Sequence, residues 1–263
     1  MRKSLKMSVL CRGLIAIAML IGGTIQADAQ RAGTTHRDSV GNAAAALLNQ
    51  GRANEARITL LSALRASRSP EDQAVYRLEI ATTFLFEGKY GEAARAFNEV
   101  VVRQDTVPVD SLIRWGHRGL ALVDAFNGRT ARAAEHYASA LRGHSTLADT
   151  IEMLVVTLQH DSALKALDRF VASRPAGSGL QFVQGYRGLS WLNAGHCTEA
   201  LPEIAKAPQQ GRPLIVAIRG RCASKHGQRV DALAMRDSVL NQSVPDPFAW
   251  TVLIARDAAR KIQ

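Results

Sequence analysis

The 263-residue sequence has few of the features that mark enzymes or β-rich secreted domains. Aromatic residues make up 5% of the chain, and no stretch alternates apolar and polar residues as a half-buried strand does. It contains no glycine-rich phosphate loop, no HExxH zinc motif and no G-x-S-x-G nucleophile turn. We therefore expect an all-α protein without a catalytic site, a bound metal or a cofactor.

The first 29 residues have the composition of a cleavable export signal. Residues 1–12 carry four basic residues and no acid, residues 13–23 are almost entirely apolar, and residues 27–29 form an A-x-A cleavage site. An apolar run of that length is too short to span a bilayer as a helix. We predict a signal peptide at 1–29, a flexible mature N-terminus at 30–36, and a periplasmic or secreted protein with no transmembrane segment after cleavage.

Charged residues are dispersed along the chain. After removal of residues 1–29, 29 basic and 22 acidic residues remain, a net charge of +7. No block of like charge marks a nucleic-acid tail, so we expect no nucleic-acid partner. The mild positive charge leaves an anionic partner surface open as an alternative.

The stretch 76–102 predicts two amphipathic helices joined by a turn. Apolar residues recur at three- and four-residue spacing on both sides of Gly88, which suits the left-handed cap that ends a helix. Ala81 and Ala93 are small enough for two helices to approach closely, and Ala93 to Phe97 forms an A-x3-F pattern. This arrangement resembles the tetratricopeptide repeat, the TPR. The resemblance implies a right-handed superhelix of antiparallel helical hairpins.

Fainter copies of this stretch cover most of the chain. The 67 residues from Gly128 to Gly195 leave room for two repeats, so a hidden copy is predicted at 150–175, where no turn glycine occurs. Val244 to Pro247 end the last hairpin, and Pro247 is expected to start a final helix. We predict a TPR-like solenoid of six helical hairpins plus a C-terminal capping helix over 37–263. The predicted turns of the clear copies contain Gly51, Gly88, Gly128, Gly195 and Gly227.

Two cysteines remain once residues 1–29 are removed. Cys197 starts the second helix of repeat five, and Cys222 lies late in the first helix of repeat six. In a TPR stack these two helix ends are adjacent, so the resemblance and an oxidising compartment favour a disulfide. A zinc site that adds His196 and His226 is an alternative, as are two separate thiols.

The TPR resemblance also predicts where a partner binds. The first helices of the hairpins line the concave side of such a stack, where extended peptides dock. Aromatic residues with interspersed arginines are typical of interaction hot spots. We therefore predict a protein–protein interaction scaffold of the cell envelope that binds an extended peptide or a partner helix in this groove. The predicted contact residues are Phe86, Trp115, Arg118, Leu122, Phe126, Tyr186 and Arg221.

Two alternatives to this function stay open. The same side chains would pack against neighbouring hairpins in a structural or regulatory accessory subunit that has no groove ligand of its own. A secreted enzyme whose site is assembled from distant residues is the second alternative. Joint exposure of the aromatic residues favours the groove, whereas their burial favours the accessory subunit.

Overall fold

The computed structural model describes residues 37–102, 110–143, 145–173, 180–207, 209, 212–247 and 249–263. Contacts divide the chain into residues 1–43 and a compact unit of residues 44–263. The predicted signal peptide and the segment 30–36 lie outside the described residues. In the described ranges all regular structure is helical, with no strand.

These ranges contain thirteen helices, which pair into six hairpins followed by a final helix. Each hairpin packs on the next one along the chain. The predicted class, an all-α solenoid of helical hairpins, is confirmed. The helices are α1 (37–49), α2 (Ala53–Ala66), α3 (Pro70–Glu87), α4 (Tyr90–Val102), α5 (Asp110–Phe126), α6 (Thr130–Leu141), α7 (Leu147–Val156), α8 (His160–Ala172), α9 (Leu180–Asn193), α10 (Cys197–Ala205), α11 (Pro213–Lys225), α12 (Arg229–Asn241) and α13 (Trp250–Arg260).

The A-x3-F pattern of α4 fills the space between hairpins as predicted. Ala93 and Phe97 are both fully buried. The ring of Phe97 lies over Gly119 of α5, where an added Cβ would come within 2.4 Å of ring carbon. A glycine at position 119 is therefore required for this aromatic side chain to fit against the next hairpin.

All five predicted turn glycines lie in hairpin turns and have positive φ angles, between 74° and 94°. Gly88 is required for a second reason, because an added Cβ would lie 2.6 Å from Nε of Arg260. In the hidden repeat, α7 and α8 are joined by a turn in which Leu158 has φ of 63° and is 56% exposed. Since a side chain disfavours this conformation, Leu158 keeps the turn at a cost of roughly 1–2 kcal/mol.

The predicted cysteine pair is brought together at the interface of repeats five and six. Cys197 is the first residue of α10, and Cys222 lies in the last turns of α11. Their sulfurs are at bonding distance, and their Cα atoms are 5.5 Å apart. Because the two thiols pair with each other, neither is left as a thiolate ligand for the alternative zinc site.

The final helix begins at a different residue from the one predicted, and it is more deeply buried than a helix at the end of a stack. The predicted start at Pro247 is wrong, because α13 begins at Trp250 with Ala249 as its N-cap residue. Seven consecutive residues, 253–259, are buried. A helix that only ends a stack leaves one face to solvent, whereas a helix buried all round lies inside the molecule. Residues 253–259 are buried because α13 packs on α11 and α12 and also contacts α3 of the second repeat.

We expect Leu158→Gly to be more stable than Leu158→Ala by about 0.5–1 kcal/mol in urea unfolding. Glycine removes the left-handed penalty, and this gain exceeds the extra chain entropy that glycine loses on folding. The reverse change, Gly128→Ala, should cost about 1 kcal/mol, since open space surrounds that position and only the backbone conformation opposes a side chain. Equal stabilities of the two Leu158 variants would contradict this account of the turn.

Mass spectrometry of the protein purified without reductant should find one intramolecular bond between Cys197 and Cys222. Reducing it should lower the free energy of unfolding by about 3 kcal/mol, because the bond closes a loop of 25 residues in the unfolded chain. The double variant Cys197→Ser, Cys222→Ser serves as the control, since its stability should not respond to reductant. Two alkylatable thiols in the untreated protein would rule the bond out.

Candidate functional site

Five of the seven side chains predicted for the groove interact with α13 or with the residue that follows it. The inner face is defined here as the side of α3, α5, α7, α9 and α11 that is turned toward residues 242–263. These five side chains share one face of the molecule, and the segment that lies against that face belongs to the same chain. The five residues are Phe86, Trp115, Arg118, Phe126 and Arg221.

Arg256 of α13 joins the ends of two helices from distant repeats. Its Nε donates to the Phe86 carbonyl at 3.0 Å, and its Nη1 donates to the Leu240 carbonyl at 2.8 Å. The guanidinium also lies 3.6 Å from the centroid of the Phe86 ring, and Arg260 donates to the same Phe86 carbonyl. Burial, with Arg260 nearby, lowers the pKa of Arg256 to about 10. Arg256 thus links the end of α3 to the end of α12.

The segment that leads into α13 is attached to the first hairpin. Asn49 Nδ2 donates to the Val244 carbonyl at 2.9 Å, and the Val244 amide donates to Asn49 Oδ1 at 3.0 Å. These paired hydrogen bonds fix the backbone of the connection between α12 and α13. The position of α13 on the inner face is therefore held from both of its ends.

Trp250, the first residue of α13, lies near aromatic rings of α4 and α5. Its ring is 5.9 Å from that of Trp115, edge to face, and 6.5 Å from that of Phe97. Phe97 is fully buried, whereas Trp115 is 53% exposed. Trp115 therefore marks the place where this aromatic row reaches solvent.

A buried carboxylate, Glu152 of α7, is the centre of the polar contacts on the inner face. It accepts from Nε and Nη2 of Arg118 at 2.9 and 2.7 Å. It also accepts from the hydroxyls of Tyr137 and Tyr186, both at 3.1 Å. Burial and the Glu152 charge hold the pKa of both tyrosines well above the usual value. Arg118 donates in addition to Asp149 at 3.1 Å.

The expected role of Arg118 needs a correction. We predicted that its guanidinium would be available to a partner, but it already binds the Glu152 carboxylate of its own chain with two nitrogens. Sequence reasoning did not identify Glu152, because it belongs to the hidden repeat, in which no turn glycine fixes the register. The available signal was a single acid within the apolar run of α7.

The predicted aromatic stripe is not exposed as a unit. Phe86, Leu122 and Tyr186 are 5%, 0% and 1% exposed, so their side chains pack within the folded chain. Phe126 is half-buried, 5.8 Å from the ring of Tyr90. Arg221 is partly buried and donates to Asn193 Oδ1 at 3.4 Å. Of the predicted aromatic contacts, Trp115 is the one that is largely accessible.

Two adjoining cavities lie beside α13 on the inner face. The first cavity, about 630 Å³, lies between α9, α11 and residues 242–252. The second cavity, about 400 Å³, lies between α5, α7, α9 and residues 246–251. Both volumes fall in the range of small-ligand sites. The two cavities share Phe182, Tyr186, Asp246, Ala249 and Thr251 as lining residues.

Two further properties concern the described ranges only. No helix there is both long enough and apolar enough to cross a membrane. No three histidine, cysteine or acidic side chains within those ranges are placed together as metal ligands.

Comparison with known proteins does not assign the chain to a family. No family model matches the sequence, and no curated protein matches it. Among solved structures, the chain is similar to the TPR2AB domain of yeast Sti1 in its complex with pHSP90. The identity is 12% and the TM-score 0.38, over 87% of this chain and 100% of that one. At this level of similarity neither a family nor a function follows.

We expect Arg118→Ala to lower the free energy of unfolding by about 3–5 kcal/mol, because it leaves the Glu152 charge buried without its cation. The matched control is Arg132→Ala on α6, whose side chain is 63% exposed and whose ion pair with Asp124 spans 3.6 Å. That control should cost less than about 1 kcal/mol. Similar losses in the two variants, measured by urea unfolding, would mean that Glu152 is not an energetic centre of the fold.

Proposed function

We propose that this protein is a protein–protein interaction module that binds an extended segment of a partner along the inner face beside α13. The observation that supports it best is the pair of adjoining cavities, next to which Trp115 is exposed. Concave sites with apolar walls and a few polar groups are the usual binding sites of proteins. The role in the cell envelope rests on the export signal predicted at 1–29.

The size of the cavities favours an extended segment over a partner helix. One turn of an α-helix with its side chains fills roughly 400–600 Å³, from a diameter of 10–12 Å and a pitch of 5.4 Å. The first cavity, about 630 Å³, thus holds little more than one helical turn. An extended segment, whose side chains are spaced along the chain, places one side chain in each cavity while α13 stays in place.

A second candidate function is a structural accessory subunit without a ligand on the inner face. The burial of Phe86, Leu122 and Tyr186 favours this candidate, because these side chains already contact the same chain. The accessible volume beside α13 favours the first candidate. The two functions differ in whether the protein binds a peptide, and whether that binding weakens when the shared edge of the cavities is filled.

Filling the cavities should weaken peptide binding strongly without unfolding the protein. Thr251 is exposed and lines both cavities, so Thr251→Trp places a large side chain at their shared edge. The matched control is Thr198→Trp at an exposed position of α10. Random decapeptides displayed on phage are selected on the purified protein, and the enriched peptides are titrated as fluorescent synthetic probes. We expect Thr251→Trp to bind them roughly thirtyfold more weakly, the loss typical of a central anchor.

The control and the melting temperature decide between the two candidates. Thr198→Trp should bind like the unchanged protein, and neither variant should melt at a lower temperature. Selection that enriches no peptide, or enriched peptides that bind Thr251→Trp at full affinity, would contradict binding in the cavities and favour the accessory subunit.

A further inference from the structure

We propose that the second cavity binds a basic side chain, lysine or arginine, of the partner segment. This inference rests on the proposed function and names the chemistry of the partner at that same site. Three observations support it: the charge of the second cavity, the aromatic rings that line it, and its contrast with the first cavity.

The second cavity is acidic, although the protein is basic. Three carboxylates line it, those of Asp149, Glu152 and Asp246, against the single guanidinium of Arg118. Tyr186 adds no charge, because burial and the Glu152 carboxylate keep its phenol protonated. The formal charge of the lining is therefore −2, in a chain whose overall formal charge is +10. Such a local reversal of sign attracts a cation into a site that low-dielectric walls surround.

The three carboxylates lie at different depths in the second cavity. Glu152 is 3% exposed and already accepts four hydrogen bonds, so it supplies negative potential to the cavity. Asp149 is partly exposed, and its two oxygens accept from Arg118 and from Thr146. Asp246 is exposed at the edge that the two cavities share. Asp246 and Asp149 thus place negative charge at the edge and inside the cavity, beside the guanidinium of Arg118.

Four aromatic rings line the same cavity, and they form two pairs. Trp115 and Trp250 come from α5 and α13, with centroids 5.9 Å apart. Phe182 and Tyr186 come from α9, with centroids 4.6 Å apart. Aromatic faces attract ammonium and guanidinium groups, most strongly where water is excluded. The guanidinium of Arg118 already lies 5.5 Å from the Trp250 ring, so this ring accepts a cation within the protein itself.

The first cavity differs in chemistry and would bind a second side chain of the same partner segment. Its lining is formally neutral, with one cation, Arg212, and one anion, Asp246. The rest of the lining includes Leu214, Ile215, Val244, Pro245 and Val252, which favour an apolar side chain. Because the two cavities share an edge, a single extended segment reaches both. The partner sequence that fits is a basic residue close to an apolar residue, and an acidic segment is disfavoured at the second cavity.

The test uses the decapeptides enriched on the unchanged protein. We expect lysine or arginine at one position near an apolar residue. Replacing that residue by norleucine, which keeps the aliphatic chain and removes the charge, should weaken binding roughly tenfold, and glutamate should weaken it further. On the protein, Asp246→Asn should weaken binding of the lysine peptide. The matched control Asp161→Asn, at an exposed position in the first turn of α8, should leave it unchanged.

Two results would overturn the inference while the proposed function stands. One is that norleucine and lysine peptides bind equally while Thr251→Trp still weakens the binding of both roughly thirtyfold. The other is that Asp246→Asn and Asp161→Asn bind the lysine peptide equally, which would place the basic side chain elsewhere. If selection enriches no peptide, the proposed function itself fails.

Discussion

The inner face depends on one buried cation, the guanidinium of Arg256. Helix C-termini carry unpaired carbonyls and a partial negative charge, which normally face solvent or a capping group. Phe86 and Leu240 are each the second-last residue of their helices, α3 and α12, and both carbonyls accept from Arg256. One side chain thus caps two helices from opposite parts of the repeat array. This shared cap links α13 to the ends of both α3 and α12.

Glu152 couples stability and charge on the same face. A buried carboxylate is expensive unless cations and hydroxyls satisfy it, and here Arg118 and two tyrosines do so. Arg118 cancels only part of the acidic charge around the second cavity, because Asp149 and Asp246 line it too. The polar network that connects α5, α7 and α9 therefore also sets the sign of the electrostatic potential in the second cavity. A substitution at Glu152 would alter both properties, which is why the test of recognition uses Asp246 at the edge.

The elements that sequence predicted well are those set by local periodicity. Hairpin turns follow from glycines and from apolar spacing, and the cysteine pairing follows from the order of adjacent helices. The unpredicted features arise from contacts between residues far apart in the chain. Leu158 occupies a glycine position because packing of α7 on α8 overrides its backbone preference. The inward position of α13 depends on Arg256 reaching the carbonyl of Phe86, 170 residues away, and no spacing rule detects such a pair.

In the proposed complex, the helix that lies against the inner face would limit how a partner is recognised. Two cavities admit few side chains, so affinity must come from a small number of contacts. A hydrophobic pocket separates side chains that differ by one methylene only by about 10–200-fold, and it does not strongly reject polar isosteres. A cavity of net negative charge rejects acidic side chains by repulsion and neutral ones by the lost attraction. The apolar first cavity would therefore supply most of the binding free energy, and the acidic second cavity most of the discrimination.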